Sequence, residues 1–259
     1  MRRLLKLLAT LVALSATFLL SHISYVDYQA IRIKAVIDGD TVILSNNQKV
    51  RYIGIDTPET MEKTETGFEY APKPFSEAAK EFNRRMVEGQ MVRLEFDVVK
   101  RDKYGRLLAY CFINDKMVNA EILRNGLAML YTMVPNIKYV DLLVKAQQQA
   151  REDGLNLWQL DKIIPAARAA NSIGELAVVE GRVLKIKKTN SAVYLNFGMD
   201  YRQDFSVVIF RDDFYLFNEQ KINLENDFKG KLVRVSGLIK EYNGPEIIVR
   251  HPSQIELVE

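Results

Sequence analysis

Cysteine occurs once in these 259 residues and histidine twice. A single thiol excludes an intrachain disulfide framework and any Cys-rich zinc centre. Two imidazoles, His22 and His251, leave no material for a histidine-based metal site or a catalytic triad. Acid is missing altogether from residues 1–26, which carry Arg2, Arg3 and Lys6. A surplus of either sign is missing from the rest. Residues 27–170 hold 21 basic and 20 acidic side chains, and residues 171–259 hold 12 and 13. The formal charge of +3 therefore equals that of the first 26 residues, and global basicity is no argument for a polyanionic partner. Any chemistry must use carboxylates, Arg, Lys, Tyr and hydroxyls.

The chain begins with a leader. Residues 7–26 contain no Asp, Glu, Lys or Arg, and positions 7–20 read LLATLVALSATFLL behind the three basic residues. A positive start and then an apolar run is the layout of an export signal, and the positive-inside tendency sends the rest of the chain across the membrane. The small-residue cleavage sites, Ala13-Leu14-Ser15 and the stretch from Ser21 to Ser24, are poor. A cleaved signal and an uncleaved signal anchor over residues 1–26 both stay open, and the anchor would be the chain's link to the membrane.

From Ile31 the pattern turns to alternation, with Ile31, Ile33, Ala35 and Ile37 on one face and Arg32 and Lys34 on the other. Strands are expected at 31–37, 41–44, 48–55, 91–98 and 106–113. Helices are expected near 75–88, 118–125 and 138–153, and a polar loop at 60–74. Five short strands with helices at their side fit an OB-type barrel. After Trp158 the stretch 161–174 reads as a linker. A second series of strands, at 176–188, 192–198, 205–210, 231–239 and 246–250, with a short apolar helix from Phe214 to Phe217, predicts another OB-like barrel over 175–259. The fold class is thus mainly β with helices, two barrels in tandem, without a convincing sequence repeat.

Three motifs in the first barrel carry chemistry: Ile37-Asp38-Gly39-Asp40-Thr41-Val42, Arg51-Tyr52-Ile53-Gly54-Ile55-Asp56-Thr57-Pro58-Glu59, and Asp102-Lys103-Tyr104-Gly105-Arg106. Taken singly, each reads as a turn or a helix entry. Taken together, clustered acids with a threonine are what a hard divalent cation needs, and Ca²⁺, Mg²⁺ and Mn²⁺ all accept such oxygen ligands. Two arginines beside that cluster make sense when a phosphate lies between them and the metal, because guanidinium forks match phosphate oxygens. The combination points to phosphoryl-transfer chemistry.

At these residues the chain resembles the staphylococcal nuclease family, over about Ile31 to Trp158. The likeness runs through IDGDTV, the arginine ahead of DTPE, DKYGR-x-LAY, the K-M-V-N helix start and Leu155-Asn156-Leu157-Trp158. It implies a five-stranded OB barrel over 27–160 and Ca²⁺-dependent cleavage of DNA or RNA phosphodiesters with 3′-phosphate products. It further implies Asp40, Asp56 and the Thr57 carbonyl as metal ligands, with Asp38 positioning the metal's waters. Glu59 would act on the attacking water, and Arg51 and Arg106 would clamp the phosphate. Lys103 and Tyr104 would contact the flanking phosphate and base.

The chain also departs from the family. Where two tyrosines typically line the base pocket, Leu127 to Pro135 offers only Tyr131, and the 60–74 loop sets Glu62, Glu65 and Glu69 against Lys63 and Lys73. Weaker bulk attraction to polynucleotide is expected from that balance. In the second barrel Tyr194, Phe197, Tyr201, Phe205 and Phe210, with Lys185, Lys187 and Lys188, are candidates for a base-stacking platform. Cys111 and Trp158 read as packing residues and His251 as a surface residue. The competing class is a catalytically silent module whose two barrels hold nucleic acid or a protein at the cell surface. The complete set of acids and arginines favours the enzyme, and no particular protein partner can be deduced.

Overall fold

Ile31 and Ile33 point inward and Arg32 and Lys34 outward along β1 (Ile31–Val36), the period-two pattern of a half-buried strand. It is followed by β2 (Thr41–Leu44), β3 (Lys49–Tyr52), β4 (Met91–Glu95) and β5 (Leu107–Ile113) in this computed structural model, which describes residues 26–159 and 163–258. Antiparallel pairs place Val36 opposite Val42, Thr41 opposite Arg51, and Leu94 opposite Cys111. β3 and β5 run parallel, with Val50 opposite Leu107. That pairing closes the ring in the order β1-β2-β3-β5-β4. Ile33, Val42, Leu44, Val50, Leu94, Ala109 and Cys111 fill its interior, none more than 1% exposed, and each large aliphatic among them stabilises the fold by roughly 1.5–3 kcal/mol. Burial pushes the Cys111 thiol up to about 12, as suits an inert packing residue.

Helix α1 (Ser76–Val87) packs against β1, while α2 (Val118–Arg124) and α3 (Val140–Glu152) pack on each other. Of the leader expected over residues 1–26, residues 1–25 lie outside the described residues, and with them the expectations of export and cleavage. Among those described, no helix is long and apolar enough to cross a membrane.

Two features of the first barrel differ from the pattern read in the sequence. The run 48–55 is not one strand. It breaks after Tyr52 and resumes as the short strand Gly54–Asp56. Gly54 makes the break, with φ at +82° and a position where a Cβ would lie 2.3 Å from Leu143 Cδ1; only glycine meets both conditions cheaply. The short strand pairs with Met129–Tyr131, an element that an unalternating apolar stretch gave no reason to expect. In addition, the polar loop contains an antiparallel ribbon of Met61–Thr64 with Gly67–Tyr70. Its register sets Met61, Lys63, Phe68 and Tyr70 on one face and Glu62 and Glu69 on the other, with Phe68 70% exposed.

The second ring consists of β6 (Leu176–Arg182), β7 (Lys185–Lys188), β8 (Ala192–Asn196), β9 (Ser206–Phe210), β10 (Leu232–Glu241) and β11 (Pro245–Ile248). Hydrogen bonds run in the order β6-β10-β11-β9-β8-β7. The circle is completed by the chain itself at Val183 and Leu184, whose amides bond Lys231 on one side and Asn196 on the other. β9 and β11 are parallel, with Val207 opposite Ile247. If β6 and β7 are taken as one bent strand, this repeats the third-to-fifth contact of the first ring. A helix follows β9 at Phe214–Glu219.

The stretch 163–174 is structured where described. Ile164–Pro165 adds parallel to β6, and the 3-10 turn Ala166–Ser172 buries Ala169 in the second core. The two barrels share a small apolar cluster of Met129, Ala150, Leu157 and Trp158 with Val178 of β6. Beside it, Arg151 donates to the Ser253 carbonyl and pairs with Glu256.

Candidate active site

The turn between β1 and β2, the end of β3 and the strand Gly54–Asp56 converge on one rim of the first barrel. Gly39 allows this convergence, since a Cβ there would lie 2.7 Å from Thr57 Cγ2 and 2.8 Å from Ala79 Cβ. Asp40 is consequently pressed against Thr57, whose amide and hydroxyl both donate to Asp40 Oδ2 at 3.0 Å. Thr41 Oγ1 donates to the other oxygen at 3.0 Å. Arg51, across the β2–β3 pair from Thr41, reaches Asp40 Oδ2 with Nη1 at 2.9 Å and Asp56 Oδ1 with Nη2 at 2.5 Å. It also donates to the Ile55 carbonyl at 2.7 Å. The guanidinium is thus a bridge between two acids that lie sixteen positions apart in the chain.

The electrostatics follow from crowding acids in a partly desolvated place. Burial alone would lower the pKa of Arg51, but Asp40, Asp56, Asp38 and Glu59 outweigh it and the pKa is raised. Asp38 is pushed up to about 8, by burial first and then by Asp40 and Glu59. Burial also carries Asp56 up to about 6, reinforced by Asp40 and opposed by Arg51 and Lys240. Glu59 rises to about 7 through desolvation, Asp40 and Asp56, while Arg51 and Arg106 pull it down; its tip stays exposed, so solvent screens part of the repulsion.

Arg106 belongs to a turn organised by Asp102. One carboxylate oxygen accepts from the Tyr104 and Arg106 amides at 2.9 and 3.0 Å, and the other accepts from Arg106 Nε at 2.7 Å. Burial would raise the Asp102 pKa, but the hydrogen bonds from Arg106 and Tyr104 leave it lowered. Tyr104 is 72% exposed, with Lys103 Nζ 5.1 Å and the Arg106 guanidinium 5.6 Å from its ring centroid.

Asp40, Arg51, Asp56 and Thr57 are therefore in direct contact. Asp38 joins through its bond from the Asp40 amide at 3.1 Å, and Glu59 and Arg106 act on the group through charge. Lys103 and Arg106 both lie against the Tyr104 ring, away from the acids. Tyr131 lies one strand away with Arg250 of the second barrel above its ring, at 5.5 Å.

Several contributors escaped the sequence reading. Asn83 donates to the Asp38 carbonyl at 3.2 Å and accepts from the Tyr52 hydroxyl at 3.1 Å. It occupies the buried stripe Ala79–Asn83–Val87 of α1, and an amide on an apolar stripe is a signal that could have been noticed. Asn119 binds the Ile53 carbonyl and the Cys111 amide, fixing the chain just before Gly54. His251 is buried, not at the surface. Its Nδ1 accepts from the Ser253 amide as a helix cap, and burial lowers its pKa to about 4. Of the proposed stacking aromatics, Phe205 belongs to the second core and Phe197 packs on it at 4.9 Å. Tyr201 remains outside, within 5.9 Å of Lys187.

The donor chemistry fits a hard cation. The available groups are oxygens, and beyond the effect of burial the Asp40 charge helps raise the pKa of Asp38, Asp56 and Glu59, as an acid does around a place that favours positive charge. In this structure Arg51 meets that need. Among the described residues, no three His, Cys, Asp or Glu side chains converge closely enough to hold an ion by themselves.

A closed OB-type barrel with clustered acids and two arginines at one rim suits chemistry on phosphate esters. Comparison with known proteins narrows the class. A family model described as staphylococcal nuclease homologue matches residues 49–160. The thermonuclease of Staphylococcus intermedius is 42% identical over 130 residues, 49% of this chain and 74% of that protein. That of Staphylococcus hyicus is 37% identical over 147 residues, 56% of this chain and 84% of that one. Endonuclease YncB of Bacillus subtilis is 40% identical over 127 residues, 47% of this chain and 58% of YncB. The chain belongs to the staphylococcal nuclease family, and its class is that of the nucleases, which hydrolyse phosphodiester bonds.

Proposed function

We propose that this chain is an exported, Ca²⁺-dependent nuclease cutting DNA or RNA to products that end in a 3′-phosphate. The observation that carries this reading is the Arg51 bridge, with Asp40 at 2.9 Å and Asp56 at 2.5 Å. It sets a phosphate-binding guanidinium inside a nest of oxygen donors. Asp40, Asp56 and the Thr57 carbonyl would hold Ca²⁺, with Asp38 orienting its waters. Bound there, the ion supplies positive charge against the scissile phosphate.

The chain's own groups do the rest. Glu59, raised to about 7, is tuned to take a proton from the attacking water near neutral pH. Arg51 and Arg106 would hydrogen-bond the non-bridging oxygens and stabilise the charge that builds up in the five-coordinate transition state. Departure of the 5′ oxygen leaves the phosphate on the 3′ side. Lys103 and Tyr104, grouped around Arg106, would meet the flanking phosphate and base. The ribbon face of Met61, Lys63, Phe68 and Tyr70 starts two residues after Glu59 and offers further stacking surface to a single strand; such stacking contributes about 1–3 kcal/mol per base. Export rests on the leader's charge and hydropathy pattern.

The test is cleavage of single-stranded DNA, duplex DNA and RNA by residues 27–259, with Ca²⁺ or with chelator, and end-group analysis of the products. Cutting with Ca²⁺ and none in chelator is expected. No cutting with Ca²⁺, Mg²⁺ or Mn²⁺ would end the reading. Export is checked by fractionating cells that express the full chain.

A further inference from the structure

Asp56 lies on a strand of three residues, Gly54–Asp56. Its sheet partner is Met129–Tyr131, with Met129 opposite Asp56 and Tyr131 opposite Gly54. An isolated two-stranded ribbon is marginal in water, so something must hold this one. On one side Gln147 of α3 accepts from the Leu130 amide at 2.6 Å. The first barrel also holds it, with Ile55 and Leu130 in its core and Ala150, Leu157 and Trp158 around Met129, and a further share of the support comes from the second barrel. Met129, 1% exposed, packs in the cluster that contains Val178 of β6. The Arg250 guanidinium lies 5.5 Å from the Tyr131 ring centroid, and the Arg250 carbonyl accepts from Thr132 Oγ1 at 3.3 Å. Arg250 is itself steadied by Asp213, at 3.5 Å. Lys240 of β10 shares with Asp56, Met129 and Tyr131 the walls of a cleft of only about 10 Å³, which is too small to admit a ligand.

We propose that the second barrel is a structural half of the nuclease centre: through Val178, Lys240 and Arg250 it fixes Met129–Tyr131, and through that strand the position of Asp56. These three are positioning residues. The proposal rests on the nuclease reading above and gives the barrel a task other than gripping substrate. A displacement of about 1 Å in a catalytic group can reduce rate on the order of a hundredfold, so a buttress of this kind matters even where it touches nothing that reacts.

The test uses the full chain carrying Val178→Ala, which removes packing behind Met129, or Arg250→Lys, which keeps the charge toward Asp213 but not the planar cover over Tyr131. The probes are bis(p-nitrophenyl) phosphate, too small to reach the second barrel's surface, and a 30-nucleotide single-stranded DNA. Expected are at least a fivefold fall in kcat on the small diester, with KM within twofold, and at least threefold weaker Ca²⁺ binding by calorimetry. Amide exchange at Ile55 and Asp56 should be faster, while affinity for the 30-mer in chelator stays within twofold. If one variant does not fold, the other carries the test. Wild-type kcat, Ca²⁺ affinity and exchange in a folded variant, or a loss confined to the 30-mer, would overturn the proposal. An unmutated chain that neither binds Ca²⁺ nor cuts would instead remove the nuclease reading.

Discussion

Arg51 Nη1 lies 2.9 Å from Asp40 Oδ2, with both side chains nearly sealed from solvent at 14% and 6% exposure. Breaking such a pair by removing one partner strands a buried charge, at a cost of about 3–5 kcal/mol. Arg51→Gln is therefore expected to lower Tm in chelator. Saturating Ca²⁺ should recover part of that loss, because an ion can replace the guanidinium between Asp40 and Asp56. Turnover should fall at least a hundredfold with or without that recovery. Differential scanning calorimetry with and without Ca²⁺ checks the first statement and single-turnover cleavage the second; an unchanged Tm in chelator would refute the buried-pair account.

Arg106 stands apart from the acids and is held by Asp102. Arg106→Ala should reduce kcat by about a hundredfold or more, the order expected for losing one charge-stabilising donor, while Ca²⁺ affinity stays within about twofold. A large loss of Ca²⁺ binding in that variant, measured by titration calorimetry, would count against its assignment to the phosphate.

Among the described residues five carboxyls bind protons more tightly in the folded protein than in the unfolded chain, with Asp38 near 8, Glu59 near 7, Asp56 and Asp213 near 6, and Glu246 raised by burial. Unfolded carboxylates titrate at roughly 4, so between pH 6.5 and 8 the folded state carries the excess protons and stability falls as pH rises. His251, lowered to about 4 by burial, works in the opposite sense, but its contribution is complete above roughly 6.5. The metal-free protein should therefore melt at a lower temperature at pH 8 than at pH 6.5, and Ca²⁺ should raise Tm more at pH 8. A Tm that is flat or rising across this window would contradict the assignment.

The ribbon's aromatic face supplies a further expectation. Phe68→Ala, at a position 70% exposed, should leave stability unchanged and raise KM for a 30-mer about tenfold, as for one lost base stack. Cleavage of a small diester should be unaffected. Equal KM values for wild type and variant would remove the ribbon from the substrate path.

Asp38, Asp40, Arg51, Asp56 and Glu59 were legible because they fall on two short motifs, and the barrel strands because Ile31 to Lys34 alternate without interruption. The ribbon was not, since Glu62, Lys63 and Glu69 place charge on both faces of a strand pair too short for a periodic signal. Met129–Tyr131 was hidden by its uniform apolarity, which serves strand and helix alike. Lys240 and Arg250 are far along the chain from Asp56. Only the docking of one ring on the other brings them near, and no local pattern encodes that.

The second ring has an asymmetry that the first lacks. Each junction of the first is a ladder of hydrogen bonds, whereas the second is sealed at one point by the covalent chain through Val183 and Leu184, where Leu184 is 46% exposed. One proteolytic cut there would turn a cylinder into an open sheet whose β6 edge is covered in part by Ile164–Pro165 and whose β7 edge is bare, the form in which β structure recruits other chains. The bond after Leu184 is thus the place where a single nick would trade a folded barrel for an aggregation-prone one.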